Sequence, residues 1–75
     1  MNRYIYAECP VDYWPSIKSI TAASLDDATE KLIEKYTNEF EDDEIGKISE
    51  FKHLRDYLND QYSLAISDLY DYEEL

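Results

Sequence analysis

"YSLAISDLYDYEEL", residues 62–75, reads two ways, and the choice decides the fold. Tyr62, Leu64 and Ile66 alternate as a half-buried strand would, and Tyr70 and Tyr72 continue that even-numbered face. Leu58, Tyr62, Ala65 and Leu69 also keep helical spacing, and neither Gly nor Pro separates this stretch from the helical pattern before it. A helix from 49 to 72 would be roughly twice the usual length of 11–12 residues. A two-stranded sheet is marginal in water without a third strand. The stretch is therefore expected to supply a third strand near residues 63–70.

Its partners lie at the other end of the chain. In "NRYIYAE" (2–8), Tyr4 and Tyr6 alternate with Ile5 and Ala7, which predicts a strand. "CPVDYWP" (9–15) holds both prolines and reads as a loop, and "SIKSITA" (16–22) reads as a second strand, antiparallel to the first. Ser24 then has the position of an N-cap, with its hydroxyl able to accept from the Asp27 amide and with Asp26 and Asp27 at the positive end of the helix dipole. The helix is predicted from Leu25 to about Asn38, with Leu25, Ala28, Leu32 and Tyr36 as its apolar stripe and Ile33 beside it. A second helix is predicted over 48–61, capped by Ser49, with Phe51, Leu54 and Leu58 inward. The expectation is a single α+β domain over residues 1–75, in the order β-β-α-α-β. Its three-stranded antiparallel sheet is covered on one face by two helices.

Charge is distributed unevenly over this frame. The chain has 75 residues and a net charge of −11. Residues 1–38 carry six acids and four bases, whereas residues 39–75 carry twelve acids and three bases. Phosphate contacts need clustered Lys and Arg, so direct nucleic-acid binding is disfavoured. Anionic membranes are disfavoured for the same reason. Cys9 is the only cysteine, which suits a reducing compartment, and the first ten residues hold no long apolar run. The expected location is cytoplasmic. One glycine and two prolines argue against a disordered chain.

The densest acids lie in "EFEDDEIG" (39–46), between the two predicted helices, where a calcium loop would sit. With Gly46 at the turn, Glu41, Asp43, Ile45 and Lys52 take loop positions 1, 3, 5 and 12. Ile45 has no side-chain oxygen, and Lys52 is a cation where a bidentate glutamate is required. The segment is expected instead to be a short connection turned by Gly46, anchored by Phe40 and Ile45 and holding its carboxylates outward. His53, the only histidine, falls beside the apolar stripe and reads as a surface residue. Cys9 has no identified base partner, one Cys and one His cannot assemble a zinc site, and one glycine cannot build a phosphate loop. No catalytic residue, metal or cofactor is expected.

Recognition remains. Glu39, Glu41 and Asp43 lie two apart, as do Asp71 and Glu73, and in extended chain such residues are roughly 6.6 Å apart. Asp56 and Asp60 are helical neighbours, about 5–6 Å apart. Carboxylates at these intervals are spaced like phosphates along a nucleic-acid strand. The stretches "EFEDDE" and "DLYDYEE", the small size and the tyrosines resemble the small nucleic-acid-mimicking inhibitors of phages and mobile elements, including anti-restriction and anti-CRISPR proteins. The resemblance is one of composition over residues 39–75. It implies a non-enzymatic inhibitor whose acids stand in for phosphates and occlude the basic groove of a nuclease or other nucleic-acid-binding protein. The contact face expected is Glu39, Glu41, Asp42, Asp43 and Glu44, then Asp68, Tyr70, Asp71, Tyr72, Glu73 and Glu74. One alternative is an interaction domain without mimicry, monomeric or homodimeric through a strand edge and tyrosines; a minor metal-binding or enzymatic role is another.

Overall fold

The computed structural model describes residues 2–74, the side chain of Glu74 excepted. Strands β1 (Asn2–Pro10) and β2 (Ser16–Ala22) form an antiparallel hairpin, with Tyr4 opposite Ile20 and Tyr6 opposite Lys18. Helix α1 (Leu25–Phe40), a single turn α2 (Asp43–Gly46) and helix α3 (Phe51–Tyr62) follow. The chain returns as β3 (Leu64–Ile66) and β4 (Tyr70–Asp71), both antiparallel to β1, and ends in a 3₁₀ turn (Tyr72–Glu74). The architecture is an α+β sheet with β1 at its centre and helices packed on one face.

The third strand exists because α3 stops at a residue that does not announce a stop. Ser63 adopts a left-handed conformation (φ 54°, ψ 36°), and its N–H reaches the carbonyls of Asn59 and Leu58. This is the C-cap geometry usually given to glycine. Val11 N–H then donates to Ser63 O at 3.2 Å and ties the break to the end of β1. For the same reason β1 runs two residues past the predicted loop boundary, since Cys9 and Pro10 pair with Ala65 and Leu64.

The returning strand carries a one-residue bulge. Two residues of β1, Tyr6 and Ala7, separate Ile5 from Glu8, while three residues, Ser67 to Leu69, separate their partners Ile66 and Tyr70. Ser67 closes the gap: its N–H donates to Ala7 O at 2.9 Å, and Ala7 N–H donates to its Oγ at 2.8 Å. Arg55 on α3 supports the bulge from outside, its Nε donating to Ile66 O at 2.9 Å and its guanidinium pairing with Asp68. An extra residue exchanges the two faces of a strand. Leu64 and Ile66 are buried, but Tyr70 and Tyr72 are exposed and Leu69 packs against the core instead. The expected continuous face of Tyr62, Leu64, Ile66, Tyr70 and Tyr72 is therefore broken at the bulge.

The main core joins Tyr6 to Leu32, Ile33, Tyr36, Ile45, Leu54, Leu58, Leu64 and Ile66, and a smaller cluster joins Tyr4, Ala22 and Ala28. Ser24 caps α1 as expected, its Oγ accepting from Asp27 N–H at 3.2 Å, and Asp27 answers by accepting from Ala23 N–H at 2.9 Å. Leu25 is not part of the apolar stripe; it is 52% exposed. Helix α1 extends to Phe40, two residues past the predicted end, because Phe40 stacks on Tyr62 with centroids 4.2 Å apart. The cap of α3 is Glu50 rather than Ser49, and it makes no side-chain capping bond. Ile48, packed against the core, fixes the chain just before that start. Among the described residues, no helix is long and apolar enough to cross a membrane.

Candidate functional site: the acidic bend

The chain reverses between α1 and α3 at Glu41, not at Gly46. Glu41 is left-handed (φ 53°, ψ 44°), and its N–H donates to Thr37 O. Gly46 ends α2 without a positive φ. Because residues 39 and 40 are helical, 41 is left-handed and 43–46 are helical, the extended-chain spacing expected for Glu39, Glu41 and Asp43 does not apply. Asp71 and Glu73 depart from it too, because the strand gives way to a 3₁₀ turn between them. Asp56 and Asp60 keep their helical spacing on α3.

Asp42 is the fixed point of the bend, half-buried, with its carboxylate turned to the tyrosines of α3 rather than free to face outward. Its Oδ2 accepts from the hydroxyls of Tyr57 and Tyr62, each at 2.7 Å, and its Oδ1 accepts from Glu44 N–H at 3.0 Å, capping α2. Phe40 and Tyr62 stack beside it, and Ile45 is fully buried beneath it. A carboxylate with three donors favours its ionised form. The bond from Tyr57, then that from Tyr62, accordingly holds the Asp42 carboxyl below its usual range. The bond to Asp42 in turn pushes the Tyr57 phenol up to about 12 and raises that of Tyr62.

The linkage has opposite signs at the two ends of the pH scale. Asp42, with its pKa depressed, contributes fully above the unfolded value of 3.8 and loses that contribution as pH falls through the folded value. Tyr57, with its pKa raised, contributes fully below 10.0 and loses that contribution as pH rises through about 12. Ultraviolet titration is expected to show Tyr57 ionising well after the exposed tyrosines, and Asp42→Ala should return it toward its ordinary value. Tyr36, raised by its burial, stays late in either case, so the brace is contradicted if Asp42→Ala leaves the order of tyrosine ionisation unchanged.

Around this fixed point, Glu39, Glu41 and Asp43 are exposed and, among the described residues, make no ion pair. Glu44 is exposed but pairs with Lys47 at 2.9 Å. The second expected group does not join them. Asp68 is tied to Arg55 at the bulge, and Asp71 accepts from Glu73 N–H at 3.0 Å. Tyr70 and Tyr72 are exposed, with the Arg3 guanidinium 5.4 Å from the Tyr72 ring, and Glu73 is exposed. The side chain of Glu74 lies outside the described residues. His53 is exposed, 3.9 Å from a Glu50 oxygen, and Cys9 is half-buried in β1. Among the described residues no group of three Asp, Glu, His or Cys side chains is placed to hold a metal ion.

Sequence reasoning missed a groove on the helix side. A hollow of about 740 Å³ lies between α1 and the start of α3, lined in part by Leu25, Asp26, Glu30, Glu50, Phe51 and Asp68. A second hollow, of about 500 Å³, shares Glu30 and Ser49 with it and adds Ile33, Glu34 and Ile48. Neither lining contains Lys or Arg. The signal was present in the sequence, since Asp26, Glu30 and Glu34 recur at i,i+4 along one side of α1.

Fold and surface together define a small α+β domain with a braced acidic bend and an acidic groove on its helix side. Comparison with protein-family models, with curated proteins and with solved structures finds no match.

Proposed function

We propose that the chain is a non-enzymatic, cytoplasmic protein-binding inhibitor. Its acidic side chains stand in for nucleic-acid phosphates and occlude the basic groove of a nuclease or other nucleic-acid-binding protein. The observation that supports this reading is the bend: Glu39, Glu41 and Asp43 flank an Asp42 held by three donors. Their backbone is ordered before binding, so little conformational entropy is lost when a partner docks. No cation among the described residues neutralises the three carboxylates, so their field is available to a basic surface. The reading needs no cofactor and no metal.

The test is capture on the immobilised protein from a bacterial lysate, followed by elution with duplex DNA or with RNA. A nuclease or nucleic-acid-binding protein released by nucleic acid, and by salt in its absence, is the expected result. A bound protein that neither nucleic acid nor salt displaces would reject mimicry and leave an interaction domain of another kind.

A further inference from the structure

We infer that the helix-free face of the sheet is an interface with a second copy of this chain. Strand register defines that face. Tyr4 and Tyr6 lie under the helices, so Ile5 and Ala7 of β1 lie on the other side, with Ile17 opposite Ala7 and Tyr70 opposite Ile5. Ala65 joins them through its pairing with Cys9. Tyr70 is there because of the bulge, which turned Leu69 toward the core, and from its edge strand Tyr70 also borders the helix-side hollow. Ile17 is 74% exposed, Tyr70 is 50% exposed, and neither contributes to the core clusters.

Charge identifies the occupant. The strand carboxylates Glu8 and Asp71 belong to the helix side, opposite Ile66 and Tyr4. On the strands, the helix-free face carries no carboxylate among the described residues, and its one ion is Arg3. The adjoining sequence "YWPSIKSITAASL" (13–25) is the longest stretch without an acid in a chain that has eighteen. Two carboxylates border it, Asp12 in the hairpin loop beside Cys9 and Ala65 and Glu73 beside Arg3 and Thr21, but none lies on its strands, so a basic partner finds little to attract it there. Two copies, each of charge −11, meet with least repulsion through this face, because it turns both helix sides outward.

The area is sufficient. Three strands about 4.8 Å apart and some seven residues long cover roughly 350 Å². At the hairpin end Tyr13 is 75% and Trp14 90% exposed. Each such aromatic adds on the order of 150–250 Å². With both aromatics included, two copies related by a two-fold axis would then bury roughly 1,300–1,700 Å² in all, the size of a stable specific interface.

Sedimentation of the full chain at low and high micromolar concentration tests this. The apparent mass is expected to double from 8.9 kDa. High salt should tighten the dimer, because it screens repulsion between like-charged copies while leaving apolar contact intact. Ile17→Glu with Tyr70→Glu should return the chain to monomer with an unchanged circular dichroism spectrum. Ile17→Ser with Tyr70→Ser, which adds no charge, serves if the first variant fails to fold. A monomer at every concentration, or a dimer that a folded double variant leaves whole, would overturn the inference. Neither outcome bears on the acidic bend, whose binding responds to salt in the opposite direction.

Discussion

Ile45→Ala is expected to cost about 2–5 kcal/mol, the range for emptying a fully buried aliphatic site. A domain of 75 residues has roughly 4–11 kcal/mol of stability in total, so the variant would lose from about a fifth of it to all of it. Ile45 is the one buried residue of α2, and it reaches the main core from the middle of the acidic segment. Its loss empties the site beneath the bend while leaving every carboxylate in the sequence. Urea denaturation should show the midpoint falling, and Ile45→Val should fall by only about 0.5–1.5 kcal/mol. The Tyr57 phenol gives a second readout, because a loosened bend weakens its bond to Asp42 and returns its ionisation toward the ordinary range. If Ile45→Ala costs no more than Ile45→Val, the anchor lies elsewhere.

What the sequence disclosed followed the range of the interactions involved. The Ser24 cap was legible because donor and acceptor lie three residues apart, and β2 was legible because its ends are marked by Pro15 and the cap. The turns after α1 and α3 were not legible. Both use a left-handed residue other than glycine, Glu41 and Ser63, in a chain whose only glycine keeps an ordinary φ. Packing imposes them: Phe40 on α1 must reach Tyr62 on α3, and Ser63 must return the chain to β1. Asp42 was miscast for a related reason. Composition treats five neighbouring acids alike, but only one meets Tyr57 and Tyr62, which lie 15 and 20 residues further along the chain. The bulge at Ser67 was hidden as well, because alternation continues through it in the sequence while the faces exchange in the fold.

These two faces explain how so acidic a chain can carry both surfaces. Burial of Leu69 by the bulge leaves Tyr70 outside, and the strand carboxylates Glu8 and Asp71 sit on the helix side. Tyr36 donates to Glu8 at 2.5 Å, and burial together with that bond raises its phenol far above the usual range. One carboxylate is thus half-buried against Tyr36, others cap or brace, and many of the remainder lie on the helices. A dimer joined through its sheets would present two acidic surfaces to a partner at once, and linked engagement strengthens binding without any new contact.

Replacing Glu39, Glu41 and Asp43 together by lysine is expected to weaken partner binding by about a hundredfold or more. Each substitution both removes an attraction and places a repulsion against a basic surface. The net charge moves only from −11 to −5, so the chain stays acidic and soluble. The fold should survive, because none of the three side chains makes an ion pair among the described residues and Asp42 keeps its donors. Lysine at position 39 also suits the C-terminal end of the α1 dipole. The comparison that decides is a second triple variant of equal charge change, Asp12→Lys, Asp26→Lys and Glu73→Lys, placed away from the bend. Binding measured by calorimetry over a salt series separates the cases. A large loss for the first triple and a small one for the second assigns recognition to the bend, and the salt dependence of the first should flatten as its attractive pairs disappear. Equal losses would mean that overall charge steers the encounter with no local contact. Unchanged binding in the first triple would remove Glu39, Glu41 and Asp43 from the interface and leave the groove beside Glu30 and Glu34 as the acidic surface to reverse next.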